Sequence, residues 1–258
     1  MSLPKIYIYD CNNYVRIKSE TSLSGSFIRS LLEEANRDSD NTLKYYVFDG
    51  TNSNAYRRQF YPEYKKTRKP PLDNFFENLK WFKELLGYCK PNVCTIQLDG
   101  YEADDVIADM AHWFNYADVT IFSTDKDLLQ IQNAKLPMAN SEWEDREFIF
   151  TRKVLCGDPS DNIKGVKGFG ETTWKNLTYG QKSLARYWLE NDLTSCKKAF
   201  ADSLPTRAQK VILEASDEEI DILKKLVMFR PVKREDIKLD FGSDNLTEIE
   251  RQLSEYGL

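Results

Sequence analysis

The sequence predicts an α/β fold: a parallel sheet with helices on both faces, followed by a helical region. Three observations predict it. Four short β-type runs each end in an acid, Lys5–Asp10, Lys44–Asp49, Val93–Asp99 and Val119–Asp125. Stretches of 3.6 period fall between them, at about 25–35, 73–86 and 103–114. From about Thr151 the β-type runs stop, and helical stretches separated by Gly and Ser turns take over.

Taken in order, the alternation of strand and helix is the signature of parallel pairing, because a parallel neighbour needs a crossover connection. Ligands of such sheets bind in the crevice beyond the carboxyl ends of the strands. Acids at several strand ends therefore meet in one place. The helical stretches of the second region are 181–190, 194–201, 206–215 and 217–229, and the tail from Pro231 is charged and amphipathic, as suits a segment that wraps back onto the core. The expected division is 1–150 for the α/β core and 151–258 for the helical region.

Composition narrows the function. The chain has 258 residues, 41% hydrophobic and 30% charged, which suits one globular core of substantial size. Its longest apolar runs are far short of the ~20 residues of a membrane helix, and no secretory signal is evident, so a cytoplasmic protein with no membrane partner is expected. A single histidine, His112, excludes multi-histidine metal sites and leaves a catalytic triad only if it serves itself. The five cysteines are scattered, with no Cys-x-x-Cys pair, and suggest neither a disulfide scaffold nor a zinc knuckle. Trp81, Trp113, Trp143, Trp174 and Trp188 are expected in packing.

Residues 55–71 stand apart. Arg57, Arg58, Lys65, Lys66, Arg68 and Lys69 face only Glu63, with Tyr56, Phe60, Tyr61 and Tyr64 interleaved. Phosphate pairing plus base stacking is what a single-stranded or frayed nucleic acid requires. A solvated loop is the plainer explanation of a charge run, but this one directly follows the strand ending at Asp49.

The carboxylates carry most of the argument. In Glu102-Ala-Asp-Asp105 the helix stripe of Ala103, Val106, Ile107 and Met110 leaves Glu102 and Asp105 on one face, with Asp104 beside them. One or two acids in a first turn only complement the helix dipole; three within four residues repel too strongly for that alone. Asp125 and Asp127 sit at a strand end, where capping accounts for one of them. Asp158 and Asp161 lie three apart before a turn marked by Gly165, Gly168 and Gly170, with Lys164 and Lys167 suited to phosphate. With Asp10 and Asp49 these make nine acids. Nine such charges do not all ionise without a cation, and oxygen-only ligation selects Mg²⁺ or Mn²⁺. Two ions ~4 Å apart suit in-line displacement at a phosphodiester. Without those nine acids the chain is net positive, so its overall charge of −5 does not speak against a nucleic-acid partner.

At these residues the sequence resembles the 5′-nuclease superfamily: flap endonucleases, phage 5′→3′ exonucleases and the 5′-nuclease domain of bacterial DNA polymerase I. The resemblance runs from about Lys5 to Trp174. It is carried by Phe48-Asp-Gly50, Tyr56-Arg57 with Tyr64-Lys65 and Arg68, Glu102-Ala-Asp-Asp105, Ser123-Thr-Asp-Lys-Asp127 and Gly157-Asp-Pro-Ser-Asp161 with the glycine turn. It implies a PIN-like core, a helical arch at about 50–75 and a helix-three-turn-helix at about 155–190. By resemblance, Asp10, Asp49, Glu102, Asp104 and Asp105 hold a first Mg²⁺. Asp127, Asp158 and Asp161, with Asp125 nearby, hold a second; a third ion is also compatible, and Mn²⁺ is a substitute. Lys65 and Arg68 match arch residues that meet the scissile phosphate, Tyr64 a residue that stacks on the terminal base, and Arg57 an arginine at the arch base. Arg58 and Lys66 add phosphate contacts. Lys164, Gly165, Lys167, Gly168 and Gly170 match the turn that grips duplex DNA, with K⁺ as its ion. Asp10 is followed by Cys11-Asn12-Asn13 where the family usually has glycine.

The implied function is a monomeric Mg²⁺-dependent 5′→3′ exonuclease and flap endonuclease of the stand-alone phage type. Its substrates would be 5′ flaps, nicked or branched DNA and RNA–DNA primers in replication. A DNA-binding relative without chemistry would be expected to have lost ligands, and none of the nine is missing. A PIN-type RNase would be shorter and lack both arch and turn.

Overall fold

The computed structural model describes residues 3–21, 27–37, 41–71, 73–139 and 146–256. Along the chain the elements run β1 (Lys5–Asp10), α1 (Cys11–Thr21), α2 (Phe27–Asn36), β2 (Thr42–Asp49), α3 (Ala55–Phe60), α4 (Phe75–Leu86), β3 (Val93–Leu98), α5 (Ala103–Trp113), β4 (Asp118–Phe122) and β5 (Ala134–Lys135). Then follow α6 (Ile149–Cys156), α7 (Glu171–Lys175), α8 (Tyr179–Asn191), α9 (Thr194–Asp202), α10 (Thr206–Glu214), α11 (Asp217–Val227), β6 (Asp240–Phe241) and α12 (Leu246–Tyr256). Among the described residues no helix is long and apolar enough to cross a membrane. Trp143 lies outside the described residues.

The chain forms two compact units, neither contiguous in sequence. A sheet unit takes residues 1–53, 70–142 and 231–258; a helical unit takes 54–69 and 143–230. Against the sequence division at 150, the basic segment 54–69 packs with the helical unit. The tail 231–258, grouped with the helices by that division, returns to the sheet as its amphipathic pattern suits, because its apolar residues find their partners there.

The sheet unit is a six-stranded sheet in the order β5-β4-β1-β2-β3-β6, parallel throughout except for β6, which pairs antiparallel to β3. β1 and β2 are buried on both faces, as parallel strands under helices must be. Tyr9, Tyr46 and Phe48 join one apolar cluster with residues of α1, α2, α4 and α12. Strand alternation sends Ile8, Tyr45 and Val47 to the opposite face, where the Tyr45 ring stacks on Phe114 just past α5 at 5.3 Å between centroids. Lys44 is a buried exception on β2. Its ammonium donates to the carbonyls of Glu34, Ala35 and Arg37 at 2.8–3.0 Å and so closes the C-terminus of α2.

The sequence had not marked α1. Its first residues, Cys-Asn-Asn, are poor helix formers, and its apolar stripe is thin.

The helical unit surrounds a second cluster in which Trp174, Phe148, Phe200 and Leu189 are fully buried. Its helices start where the chemistry allows. Thr178 and Gln181 cap α8 reciprocally, with Gln181 N–H on Thr178 Oγ1 at 3.3 Å and Thr178 N–H on Gln181 Oε1 at 2.8 Å. Ser216 caps α11, whose first turn carries Asp217, Glu218 and Glu219 and whose last turn carries Lys224 and Lys225.

Candidate functional site

In the sheet unit, four loops beyond the carboxyl ends of the strands carry acids. Asp10 ends β1 and is 4% exposed. The Ser123 hydroxyl, just past the adjacent β4, donates to Asp10 Oδ2 at 2.8 Å, and Asn13 N–H to Oδ1 at 3.2 Å. Asp49 ends β2; its N–H donates to Asn12 Oδ1 at 3.0 Å, and its Oδ1 accepts Ala103 N–H at 2.8 Å. That last bond ties the start of α5 to β2. Glu102 is the N-cap of α5, and Asp105, fully buried, accepts Glu102 N–H at 3.4 Å. Past β4, Asp125 N–H donates to Ser123 Oγ at 3.0 Å and Asp127 N–H to Asp125 Oδ1 at 2.8 Å. The substitution of Cys11-Asn12-Asn13 for a glycine thus gains a role. Asn12 braces Asp49, and Asn13 braces Asp10 and, through its Oδ1, Thr124 N–H at 2.9 Å.

Burial raises the Asp10 carboxyl to about 7, and the neighbouring charges of Asp49 and Asp125 add to it against the hydrogen bonds from Ser123 and Asn13. The donors are all oxygens. Cys11 is buried with its thiol aimed at Tyr9 O, and its proton is held more firmly by that burial and by Asp10 and Asp49. His112 is exposed at the far end of α5. A hard divalent cation fits this donor set, and a cation beside Asp10 would favour its ionised form against the burial and charge crowding that raise it.

In the helical unit, Asp158 and Asp161 are buried in the turn after α6. Asp158 closes the turn through paired backbone bonds with Ile163, both 2.8 Å. Burial pushes its carboxyl up, but the Lys153 ammonium at 2.5 Å and the Ser160 hydroxyl and N–H outweigh it, so the group sits below the usual carboxylate range. Asp161 accepts from the Tyr64 hydroxyl at 3.3 Å and pairs with the Arg68 guanidinium, and the Lys65 ammonium lies 3.9 Å away.

The turn itself is fixed by glycines in contact. Gly157 and Gly165 both have positive φ, +85° and +66°, and a Cβ on Gly165 would lie 2.3 Å from Gly157 N. Ile163, Val166 and Phe169 sink into the core between exposed Lys164, Lys167, Gly168 and Gly170. This arrangement presents backbone and cations outward while its apolar residues anchor it.

Two sequence expectations are corrected in the same unit. Arg57 is 4% exposed, and its guanidinium donates to Leu226 O at 3.2 Å and Met228 O at 2.8 Å, so it completes the C-terminus of α11 instead of facing DNA. Tyr64 is 2% exposed, with the Lys65 ammonium 5.0 Å from its ring centroid and its hydroxyl on Asp161. A ring so enclosed is not on the surface for a base to stack on. Arg58, Lys66 and Arg68 remain at the surface or partly so; Arg58 donates to Tyr64 O at 3.2 Å and Lys66 to Glu63 at 2.8 Å. The supporting residues Asn12, Asn13, Ser123 and Ser160 are given no role by the sequence and Lys153 is not marked at all; only their hydrogen bonds to the acids and their backbone reveal them.

The family described as 5′-3′ exonuclease, N-terminal resolvase-like domain, matches residues 12–155. The 5′-3′ exonuclease of Aquifex aeolicus is 30% identical over 230 residues, covering 81% of this chain and 73% of that protein. DNA polymerase I of Borreliella burgdorferi is 35% identical over 152 residues, 50% of this chain but only 16% of the polymerase, so the chain spans a small part of that relative. Among solved structures, bacteriophage T5 5′-exonuclease with bound zinc superposes with a TM-score of 0.58 at 21% identity over 97% of this chain and 98% of that one. The T5 flap endonuclease in a pseudo-enzyme-product complex with DNA and metal ions gives 0.54 at 21% identity, over 97% and 98% of the two chains. At that identity the likeness is one of fold.

Proposed function

The chain belongs to the 5′-3′ exonuclease family, and from that premise we propose that it is a Mg²⁺-dependent 5′→3′ exonuclease and flap endonuclease acting on DNA, in primer and flap removal during replication. The observation that carries this reading is the buried Asp10 carboxyl at a strand end, reluctant to ionise through that burial and through the charges of Asp49 and Asp125 beside it, with Asp49 tied to the start of α5 where Glu102 and Asp105 sit. An all-oxygen acidic site of this kind calls for a hard divalent cation.

Asp10, Asp49, Glu102, Asp104 and Asp105 are assigned to a first ion, and Asp127, Asp158 and Asp161, with Asp125 beside them, to a second. Mn²⁺ substitutes, and K⁺ belongs to the turn at Gly165–Gly170. When bound, such ions activate a water and stabilise the leaving oxygen of a phosphodiester. The chain's own residues do the rest. Lys65 and Arg68 offer cations to the scissile phosphate, while Lys164 and Lys167 with the exposed backbone of Gly168 and Gly170 engage duplex phosphates, a contact that fixes position without reading sequence. Asn13 N–H and the Ser123 hydroxyl orient the Asp10 carboxylate, Ala103 N–H orients that of Asp49, and Asn12 holds the Asp49 backbone.

Cleavage of a 5′-end-labelled flap DNA and of a nicked duplex in Mg²⁺, beside binding of the same DNAs in Ca²⁺, tests the proposal. Mg²⁺-dependent cutting at the 5′ end or near the junction is the expected result, and the product ladder apportions exonuclease and endonuclease. Tight structure-specific binding without cutting in Mg²⁺ or Mn²⁺ would make the chain a DNA-binding relative instead.

A further inference from the structure

The two carboxylates of the helical unit are neutralised in different ways. Asp158 is answered from its own neighbourhood: Lys153 lies one helical turn back on α6, and Ser160 belongs to the same turn. Asp161 is answered from a segment almost a hundred residues away. Arg68 pairs with its Oδ1 and also donates Nε to Ser160 O at 3.4 Å. Tyr64 and Lys65 face its Oδ2, and Lys65 N–H donates to Asp161 O at 2.9 Å. Asn162 Nδ2 returns a bond to Glu63 O at 2.9 Å. Lys65 holds φ at 56°, a left-handed conformation unfavourable for a residue with a side chain, which these bonds maintain.

We propose that Asp161 is an exchange point: its carboxylate holds the cations of segment 63–68 in the metal-free protein, and a divalent cation that takes the carboxylate releases Arg68 and Lys65 toward a phosphate. The proposal rests on the metal assignment of Asp161 made above. Both oxygens of Asp161 are engaged by the segment, so an incoming cation must displace at least one partner, and its charge repels the guanidinium and ammonium it meets. Arg68 is 43% exposed although Asp161 is only 9%, so water reaches the pair from the arginine side and the guanidinium can leave into solvent. The release couples the two halves of the chemistry: the cations that meet substrate are set free by the ion that acts on it. Reciprocity follows, since whatever loosens the segment must tighten metal binding by the same factor.

The test is calorimetric titration of the full chain with Ca²⁺ in the absence of DNA, together with amide hydrogen exchange over residues 61–69. Arg68→Gln should tighten one Ca²⁺ site roughly two- to fivefold, the factor to which an exposed ion pair converts. Lys69→Gln, which removes the same charge one residue on, should leave it unchanged. In the wild-type chain Ca²⁺ should speed exchange of the Lys65 amide. Unchanged or weaker Ca²⁺ binding by Arg68→Gln, equal tightening by Lys69→Gln, or exchange that ignores Ca²⁺ would each overturn the exchange. A wild-type chain that binds no Ca²⁺, Mg²⁺ or Mn²⁺ would overturn the metal assignment along with it.

Discussion

Asp10 pays for its position in protons. Its folded value of about 7 stands above the ordinary 3.8, so folding takes up a proton. The sign follows: a carboxyl raised in the folded state lowers stability as pH climbs from the unfolded value to the folded one, with no further loss above it. In EDTA, Asp10→Asn should therefore gain on the wild type between about pH 4 and 7, reaching roughly 2–4 kcal/mol by denaturant unfolding at pH 8. Saturating Mg²⁺ should reverse the order, because the wild type offers the ion one carboxylate more than the variant and binds it more tightly. Lys65→Ala should lower kcat by 10²–10³-fold, the ~3–4 kcal/mol of a lost transition-state donor, with KM changed little. A rise confined to KM would reduce Lys65 to a steering charge. Arg57 and Tyr64 mark the limit of what residue types reveal. A sequence shows an arginine among basics and a tyrosine beside them, but not that Leu226 O and Met228 O, some 170 residues on, need the guanidinium.

Elements were legible where two signals agreed. Strand runs ending in acids gave β1 to β3 within two residues at either end, because parallel strands under helices leave an apolar run that stops where the crevice begins, whereas β4 stops three residues short of Asp125. α1, β5 and β6 were not legible: the first is polar along most of its length, and the others are two residues long, too short for any period to register. The turn between α6 and α7 was visible as glycines, yet only the fold explains why Gly157 and Gly165 occur as a pair. Gly165→Ala should drive a methyl into Gly157 N and strain a φ of +66°, costing on the order of 2–4 kcal/mol. Duplex binding should weaken with it, while Gly170→Ala, where no atom lies within 4 Å of the added methyl, should fold normally in the same melts.

At the scale of the molecule, the chain passes from one unit to the other at residues 53–54, 69–70, 142–143 and 230–231. The last passage returns β6 to the edge of β3 and α12 to the face of the sheet. There Ile249 and Leu253 are buried with Phe82, Leu85 and Leu86, and Tyr256 stacks on Trp81 at 4.7 Å. Leu253→Ala should cost about 2–5 kcal/mol by thermal or denaturant unfolding, as for other buried leucines, although it lies on none of the loops that carry the site's acids. Gly242 fixes the entry of this strap, since a Cβ there would meet Cys89 O at 2.2 Å.

The same strap sets a timetable for biosynthesis. When the ribosome has translated as far as residue 230, every acid of the proposed site has been made, yet the sheet still has a bare apolar face where α12 belongs and an open edge at β3. The nascent chain thus carries a complete set of catalytic carboxylates on an unfinished scaffold. Chaperones that shield apolar surface have a window on this protein that closes only once α12 has been made and has docked.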